Sequence, residues 1–490
     1  MHRLLADGVQ GPAAGEASYS GLMRILQVTN GFPPTAAAGV EQYTHQLSRG
    51  LNAHHDLRIL CRESLPHRSD YDIIEGDFDG LPVRRIVNDF QHASQVRDLY
   101  LDLHIESIFE QILAEWQPDL IHFQHCIGLS ASLPQVAALH RIPHVLTLHD
   151  YWYICSRIQL LNRQGHICPG PIANVNCQDC MFPDRFLRPL MRTWLFRTLR
   201  SRLSEYSKRR ILGVLSQITP SLPPSRPDQA PSPYTERDEY MLSLLGNLPL
   251  ILTPSTFVRN LYVKHGVPES RIQVLPLGLE LSPWRVASPN KLIPGKGLRV
   301  AYLGSLLRHK GVHILVRAVH RLRTPGSTLL IYGSAMPGDP FIDQLRRLVR
   351  QDPRVKLMGR YQQKDLPDVL SRIDVVVIPS LCHETFSIVA NEALLSGTPV
   401  VAFKVGALPE IIESGQNGLL VPVGDTDALH DALHSLSTDS NLLARLRDGA
   451  VASSKRIKSM DDHVREIDLL YESVVRLTAN EGRARSALPG

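Results

Sequence analysis

The sequence has no apolar run long enough for a transmembrane helix, although 43% of its 490 residues are hydrophobic. A spanning helix needs about 20 consecutive apolar residues. The first 22 residues also lack the central apolar stretch of a signal peptide. We interpret residues 1–22 as a loose tail before a start at Met23, and we expect a cytoplasmic protein.

Several nucleotide-binding motifs are also missing. The sequence contains no P-loop and no G-x-G-x-x-G fingerprint, and no D-x-D ends a predicted strand. The first two motifs cradle phosphates through glycine-rich loops, and D-x-D carboxylates hold a metal ion. These absences disfavour nucleoside triphosphatases, dinucleotide-dependent dehydrogenases and metal-dependent transferases.

Short apolar runs alternate with amphipathic stretches, which is typical of parallel strands connected by helices. We predict an α/β protein with two Rossmann-like, doubly wound domains at 23–245 and 246–455, and a helix within 456–490 that returns to the first domain. An insertion at about 151–235 interrupts the first domain and ends in a loop rich in Pro and Ser. Because open parallel sheets bind ligands at the carboxyl ends of their strands, we expect the active site in the cleft between the domains. The predicted strands occupy residues 23–30, 57–61, 83–87, 120–125, 144–149, 250–255, 271–278, 299–304, 328–333, 355–359, 374–380 and 399–403.

Two glutamates flank the start of a predicted helix after the strand at 374–380. The helix is predicted to begin near Ser387, so Glu384 precedes it and Glu392 lies in its first turns. Eight residues of helix rotate by about 80° and rise by about 12 Å. The two carboxylates are therefore too far apart to share a proton, but they suit two contacts along one elongated polar ligand. The alternative is an ordinary helix with two solvated carboxylates.

The backbone amides between these glutamates are a candidate anion site. The amides of Thr385, Phe386 and Ser387 stand at the predicted helix start, where N–H groups lack partners and the helix dipole favours negative charge. The pattern therefore predicts a ligand with hydroxyl, phosphate and hydroxyl groups in that order.

This segment resembles the E-x7-E motif of retaining glycosyltransferases with the GT-B fold, of the family 4 type (glycosyl transferases group 1). The resemblance implies a GT-B fold of two Rossmann-like domains facing across a cleft. It also implies that Glu384 is a catalytic residue that contacts the donor sugar, that Thr385, Phe386 and Ser387 bind the donor, and that Glu392 contacts the nucleotide ribose.

A second motif, G-S-L-L-R-H-K-G at 304–311, resembles the family's G-R-x-x-x-x-K-G loop, whose basic residues hold the donor pyrophosphate. Lys310 matches the family lysine. Ser305 stands where the family has arginine, and Arg308 is a candidate to replace that charge. Positive charge is needed here because the leaving diphosphate gains negative charge as the glycosidic bond breaks. Gly333 begins another cleft loop that is expected to touch the nucleotide.

The first domain carries two further matches. Gly39, in A-A-A-G-V-E-Q, corresponds to the family's glycine-rich loop, where close backbone approach faces the donor phosphates; Ala38 replaces a second glycine. A plain turn is the alternative. His149, in T-L-H-D, matches the T-x-H-D segment and is implied in catalysis or substrate contact; a histidine that caps the strand is the alternative.

The resemblance implies transfer of a sugar from a nucleotide-sugar donor to an acceptor hydroxyl with retained anomeric configuration. The expected acceptor is a glycan, a lipid-linked glycan or another polysaccharide precursor, and no cofactor is required for catalysis. Two other functions stay open: a nucleotide-sugar epimerase of the same fold, and a non-catalytic membrane-associated binding protein.

Four of the seven cysteines form a cluster with spacing C-x12-C-x8-C-x2-C. Four thiolates suit tetrahedral zinc, so a structural zinc is one interpretation; reduced thiols, and a disulfide or redox pair, are the others. A subgroup of the family has a similar cysteine pattern after the catalytic histidine, which favours a structural feature beside the acceptor. The cluster comprises Cys155, Cys168, Cys177 and Cys180.

The segment 185–210 holds nine basic residues and a single acid, Glu205. Interleaved Phe, Leu, Met and Trp predict a helix that either lies on an anionic membrane surface or docks on the domain with a solvated basic face. The first option would place the protein on the inner face of the membrane. We expect no nucleic-acid partner, because no recognition motif accompanies the charge.

Overall fold

The structure, a computed structural model, describes residues 21–36, 38–171, 177, 180–181, 232–281, 284, 297–335 and 339–486. Within these ranges the chain forms two α/β layers, each with a twisted, mainly parallel sheet. The two-domain Rossmann-like prediction is confirmed. Apolar runs become strands here because helices cover both faces of a parallel sheet.

The first sheet has eight strands within the described residues, in the order β3-β4-β2-β1-β5-β6-β7-β8. Only the β3–β4 pair is antiparallel; the other pairs of this sheet are parallel. Its strands are β1 Arg24–Thr29, β2 Asp56–Glu63, β3 Ile73–Phe78, β4 Leu81–Val87, β5 Leu120–Phe123, β6 His144–Thr147, β7 Ile251–Thr253 and β8 Ile272–Val274.

Helices connect these strands and cover the sheet. Ser255 caps the helix that follows β7, since its hydroxyl accepts from the amide of Val258. The helices are α1 Gly39–Leu51, α2 Leu103–Trp116, α3 Leu133–Leu139, α4 Pro233–Asn247 and α5 Thr256–Lys264.

The second sheet is wholly parallel, with the order β11-β10-β9-β12-β13-β14 in the described residues. Its strands are β9 Arg299–Leu303, β10 Thr328–Tyr332, β11 Val355–Gly359, β12 Val375–Ile378, β13 Val400–Phe403 and β14 Gly418–Val421. Its helices are α6 Val312–Arg321, α7 Pro340–Val349, α8 Leu366–Leu370, α9 Ile388–Leu395, α10 Leu408–Ile411, α11 Thr426–Thr438 and α12 Ser440–Ser454.

The predicted boundary between 245 and 246 is wrong. Strands β7 and β8 were assigned to the second domain, but β7 pairs with β6 and β8 pairs with β7, so both extend the first sheet. The alternation of strands and helices continues unchanged across residue 245, and the pattern alone does not tell which sheet a strand joins. The first domain therefore includes residues up to at least Val274.

The last helix, α13 Met460–Ser486, packs on the first sheet's layer. Its Ile467 and Tyr471 are fully buried in the same apolar cluster as Ile25 of β1. Val464 lies against Gly50 of α1, where a side chain would come within 2.5 Å of it. The chain thus crosses back from the second sheet to the first.

Candidate active site

A cavity of about 310 Å³ lies between the two halves, where strands of both sheets end. Its walls come from the loops after β6, β9 and β12 and from the starts of α1 and α9. The predicted site residues on its wall are Gly39, His149, Ser305, Lys310, Glu384, Thr385, Phe386 and Ser387. The other lining residues are Val40, Leu277, Tyr302, Leu303, Gly304, Ile378, Ser380, Ile388 and Val389.

An ion pair joins the two motifs of the second half. The ammonium of Lys310 donates to Oε1 of Glu384 over 2.7 Å, and the hydroxyl of Ser380 donates to the same oxygen. Burial disfavours the charge of Glu384, but Lys310 and these hydrogen bonds outweigh it and lower the pKa of the carboxyl. Burial likewise opposes the charge of Lys310, yet Glu384 raises the pKa of the ammonium. Both groups are therefore charged at neutral pH.

Two glycines allow the loops of this pair to touch. Gly311 has φ +70°, and a Cβ there would lie 1.7 Å from the carbonyl oxygen of Pro379. Gly406 has φ +59°, and a Cβ there would lie 2.3 Å from the backbone oxygen of Glu384. Left-handed backbone and lack of space both require glycine. The K-G motif includes Gly311, but nothing in the sequence indicated Gly406.

The start of helix α9 faces the cavity with free amides. Ser387 is the N-cap residue, adopts φ 57°, and makes no side-chain capping hydrogen bond. The first amides of a helix have no partners within the helix and attract negative charge. The helix begins at Ile388, so the anion site predicted from the sequence has the expected backbone.

His149 follows β6 on the opposite wall and is neutral. Its Nε2 lies 2.7 Å from Oε1 of Gln124, and its ring centroid lies 5.2 Å from that of Tyr43. Burial, reinforced by nearby His125, lowers the pKa of His149 to about 3. The backbone oxygen of His149 accepts a 3.0 Å hydrogen bond from the hydroxyl of Thr385, which joins the two halves at the site.

Glu392 lies on α9 behind the cavity wall and is 3% exposed. Gln363 donates a short hydrogen bond to its carboxylate. Burial raises the pKa of Glu392 to about 7, against the lowering effect of Gln363. The two glutamates of the motif therefore differ in charge behaviour, because only Glu384 has a cation beside it.

Besides Glu392, two predicted donor-binding residues do not reach the cavity wall. The guanidinium of Arg308 donates to Oε1 of Gln344 over 2.6 Å and lies over the ring of Phe341. It therefore does not replace the charge that is missing at Ser305. Gly333 packs on Gly304 instead, since a Cβ at Gly333 would lie 1.9 Å from the Gly304 oxygen.

Several side chains of the site were not predicted from the sequence. Ser380 binds Glu384, and Tyr302 donates over 2.7 Å to the backbone oxygen of Ser305. Gln124 and Gln363 bind His149 and Glu392. A hydroxyl at the end of a predicted strand was the available signal for Ser380; the other contacts come from distant parts of the chain.

The four clustered cysteines are free thiols in the structure. Burial raises the pKa of Cys155, Cys177 and Cys180. Across the described ranges, which include all four cysteines, no group of three or more His, Cys, Asp or Glu is arranged to hold a metal ion. The thiol positions thus do not fit a zinc site as they stand, and zinc stays a prediction.

The basic segment 185–210 lies outside the described residues, so its membrane contact also stays a prediction. In the part of the chain that the structure does describe, no helix is long and apolar enough to cross a membrane.

Solved structures share this arrangement of two halves. Sucrose-phosphate synthase from Thermosynechococcus elongatus matches with a TM-score of 0.61 and 19% identity, over 93% of this chain and 100% of the other. The Anabaena protein HepE, in complex with UDP and glucose, matches with a TM-score of 0.59 and 17% identity, over 92% and 100%. At these identities the likeness shows the fold, which is GT-B.

Sequence comparison places the chain in a family. Residues 297–439 match the model for glycosyl transferases group 1, and residues 38–200 match the glycosyl transferase 4-like domain. The two matches together span more than half of the chain. The chain therefore belongs to the group 1, family 4 type of glycosyltransferases, as the motifs predicted.

Curated relatives match over shorter segments. A D-inositol 3-phosphate glycosyltransferase from Corynebacterium kroppenstedtii is 31% identical over 192 residues, which are 38% of this chain and 42% of the relative. A glycogen synthase from Mycobacterium tuberculosis is 34% identical over 175 residues, or 35% and 41%. The matched part of the chain spans about two fifths of the length of these relatives.

Proposed function

We propose that this protein transfers a sugar from a nucleotide-sugar donor to an acceptor hydroxyl. The observation that carries the proposal is the Lys310–Glu384 pair, which lies beside the free amides of α9 on one cavity wall. Cation, amides and carboxylate together suit a ligand that combines a diphosphate with a hydroxyl-rich ring.

Each group takes one part of the donor. Lys310 and the amides at 385–387 bind the diphosphate and stabilise the negative charge that it gains on leaving. Glu384 accepts hydrogen bonds from the sugar hydroxyls. The ribose contact expected of Glu392 requires its carboxylate to become accessible from the cavity, because it is 3% exposed. Solved neighbours support this class of donor: HepE is described with UDP-glucose, and an E. coli trehalose-6-phosphate protein with UDP-2-fluoro glucose.

The reaction proceeds with retention of configuration. The bond between the anomeric carbon and the diphosphate breaks on the same face on which the acceptor oxygen attacks. The acceptor proton passes to the departing phosphate oxygen, so atoms and charge balance without a further reactant. The acceptor approaches from the first half, beside the neutral imidazole of His149, and is a glycan, glycolipid or polysaccharide precursor.

The donor assignment is tested by ligand binding. We expect one nucleotide class among UDP-, GDP- and ADP-sugars to raise the melting temperature, because a ligand that binds only the folded state stabilises it. Incubation with donor alone must leave the sugar unchanged; an epimer would identify an epimerase instead.

The residue roles are tested by two substitutions. Glu384→Ala and Lys310→Ala should each lower transfer by at least about a hundredfold, the usual effect of removing one electrostatic contact to the developing charge. Lys356→Ala removes an exposed lysine from β11 and is the matched control. Turnover close to wild type in both site variants would contradict the assignment.

A further inference from the structure

A chain of buried polar side chains connects helix α13 to His149. The amide nitrogen of Gln27 donates to the hydroxyl of Tyr471 over 3.1 Å, and that hydroxyl lies 2.6 Å from Nδ1 of His122. The amide nitrogen of Gln124 donates to Oε1 of Gln27 over 3.0 Å. We call Gln27, His122, Gln124 and Tyr471 the Gln124 network; each is fully buried.

The orientation of the Gln124 amide decides which nitrogen of His149 carries the proton. The amide nitrogen of Gln124 has two hydrogens, and it donates to Gln27 and to Nδ1 of His122, each over 3.0 Å. The remaining oxygen of Gln124 only accepts, so Nε2 of His149 is the donor over 2.7 Å. Since burial lowers the pKa of His149, the imidazole is neutral and its Nδ1 keeps a lone pair.

The positions of these residues depart from the usual pattern of a buried sheet. Gln27 and His122 are register partners on β1 and β5, at the centre of the first sheet. Such strands are normally rich in Val, Ile and Leu. A buried polar network whose members satisfy one another rigidifies its surroundings, and departures from local rules concentrate at functional sites.

Helix α13 also supports His149 from a second direction. Nε2 of His463 lies 2.7 Å from the hydroxyl of Tyr43, and the ring of Tyr43 contacts that of His149. His463 and Tyr471 are both on α13, two turns apart. The helix that returns from the second sheet thus connects to the imidazole by two indirect routes, one through Tyr471 and Gln124 and one through His463 and Tyr43.

We propose that Gln124 is a positioning residue of the transfer reaction, which holds His149 in one orientation and one tautomer, and that helix α13 holds Gln124 in place through Tyr471. The catalytic consequence rests on the proposed function, whereas the tautomer and orientation do not.

Nitrogen NMR of the full-length protein tests the tautomer, with a His149→Gln spectrum to identify the signals. We expect a neutral imidazole protonated at Nε2 in the wild type. Gln124→Met has a similar length but no acceptor, and it should shift the proton between the two nitrogens. Gln124→Glu keeps the acceptor and adds a negative charge, so the pKa of His149 should rise. An Nδ1-protonated wild type, or unchanged signals in both variants, would overturn the proposal.

Kinetics test the catalytic consequence. Gln124→Met should lower kcat by up to about a hundredfold, since a small misplacement of a group in an active site has a cost of that order, while the KM for donor changes little. Tyr471→Phe should act in the same direction with a smaller effect. Tyr240→Phe is the control, since it removes a hydroxyl that binds Gln135 on another part of the first domain.

The two measurements separate the possible failures. If no donor is turned over, the proposed function fails, but the spectra still decide the role of Gln124. If Gln124→Met does not fold, both measurements are made on Tyr471→Phe, which removes only one oxygen atom. An unchanged kcat in Tyr471→Phe, together with unchanged His149 signals, would then overturn the proposal.

Discussion

Glu384 and Glu392 belong to one motif but hold their charge differently because their surroundings differ. Glu384 is paired with Lys310 and accepts from Ser380, so its pKa is lowered despite burial. Glu392 is 3% exposed and accepts from the amide of Gln363, and burial raises its pKa to about 7. The spacing in the sequence locates both carboxylates in one motif. Whether each carboxylate is ionised depends on the groups that surround it in the fold.

This difference predicts how stability depends on pH. The folded-state pKa of Glu392 lies above the ordinary value of 4.5, so the folded protein binds its proton more tightly than the unfolded chain. The stabilisation is complete below about pH 4.5 and is lost as the pH rises through about 7. Glu392→Gln should remove this dependence, which is on the order of 3 kcal/mol.

Urea unfolding at about pH 5 and about pH 8 measures this effect. At the higher pH, the free energy of unfolding of Glu392→Gln should be larger than that of wild type. Glu239→Gln, at an exposed position of α4, is the control. If the free energy of unfolding of Glu392→Gln changed between the two pH values as much as that of wild type, the prediction would be contradicted.

At the scale of elements, the site depends on how closely two loops approach the Glu384 loop. Gly406 follows β13, and its missing side chain leaves room for the backbone of Glu384. The amide of Ala407 then donates to the backbone oxygen of Glu384 over 2.8 Å. The position of the Glu384 side chain is thus set partly by a residue that has no side chain.

Gly406→Ala should therefore impair the site without altering any lining side chain. A Cβ at Gly406 would lie 2.4 Å from the Glu384 amide nitrogen, which displaces the loop. Gly415→Ala is a matched control: its φ is +86°, and a Cβ there would meet nothing within 4 Å. Both variants should lose about 1 kcal/mol of stability, because each places a Cβ on a residue with left-handed backbone. Only Gly406→Ala should also lower transfer, and equal activity in the two would contradict this role.

The elements that could be predicted are those whose pattern depends on burial. Strands such as β1, β9 and β12 read as apolar runs because both of their faces are covered. Strand β3 was missed because it is an antiparallel edge strand with a mostly exposed, polar sequence. The E-x7-E and K-G motifs located one wall of the cavity because they are local in the chain. The Arg308 expectation failed because its direction depends on Gln344 of another helix.

At the scale of the whole molecule, the cavity exists only where the two halves meet. Three contacts join them near the site: Thr385 with the backbone of His149, Ser255 with the backbone of Thr385, and Glu410 with the start of α5. The partners are more than 100 residues apart in the chain. No local pattern reports such pairs, which is why the domain boundary and these contacts could not be predicted.

The contacts of Glu410 indicate how the halves are held together. Its carboxylate accepts from the amides of Thr256 and Phe257 at the start of α5, across the two halves, where negative charge is favourable. Asp425 makes the same kind of contact to the start of α11, but within the second half. Glu410→Ala and Asp425→Ala should each cost about 1 kcal/mol of stability.

Of these two variants, only Glu410→Ala should open the molecule, because the Glu410 contact links the halves and the Asp425 contact does not. Small-angle scattering should give a larger radius of gyration for Glu410→Ala than for wild type. Addition of donor nucleotide should reverse the difference, since the proposed donor site lies in the cavity between the halves. Hydrogen exchange should rise at Thr256 and Phe257 in this variant, and at the start of α11 in Asp425→Ala. If both variants scatter like the wild type, the Glu410 contact does not hold the halves together.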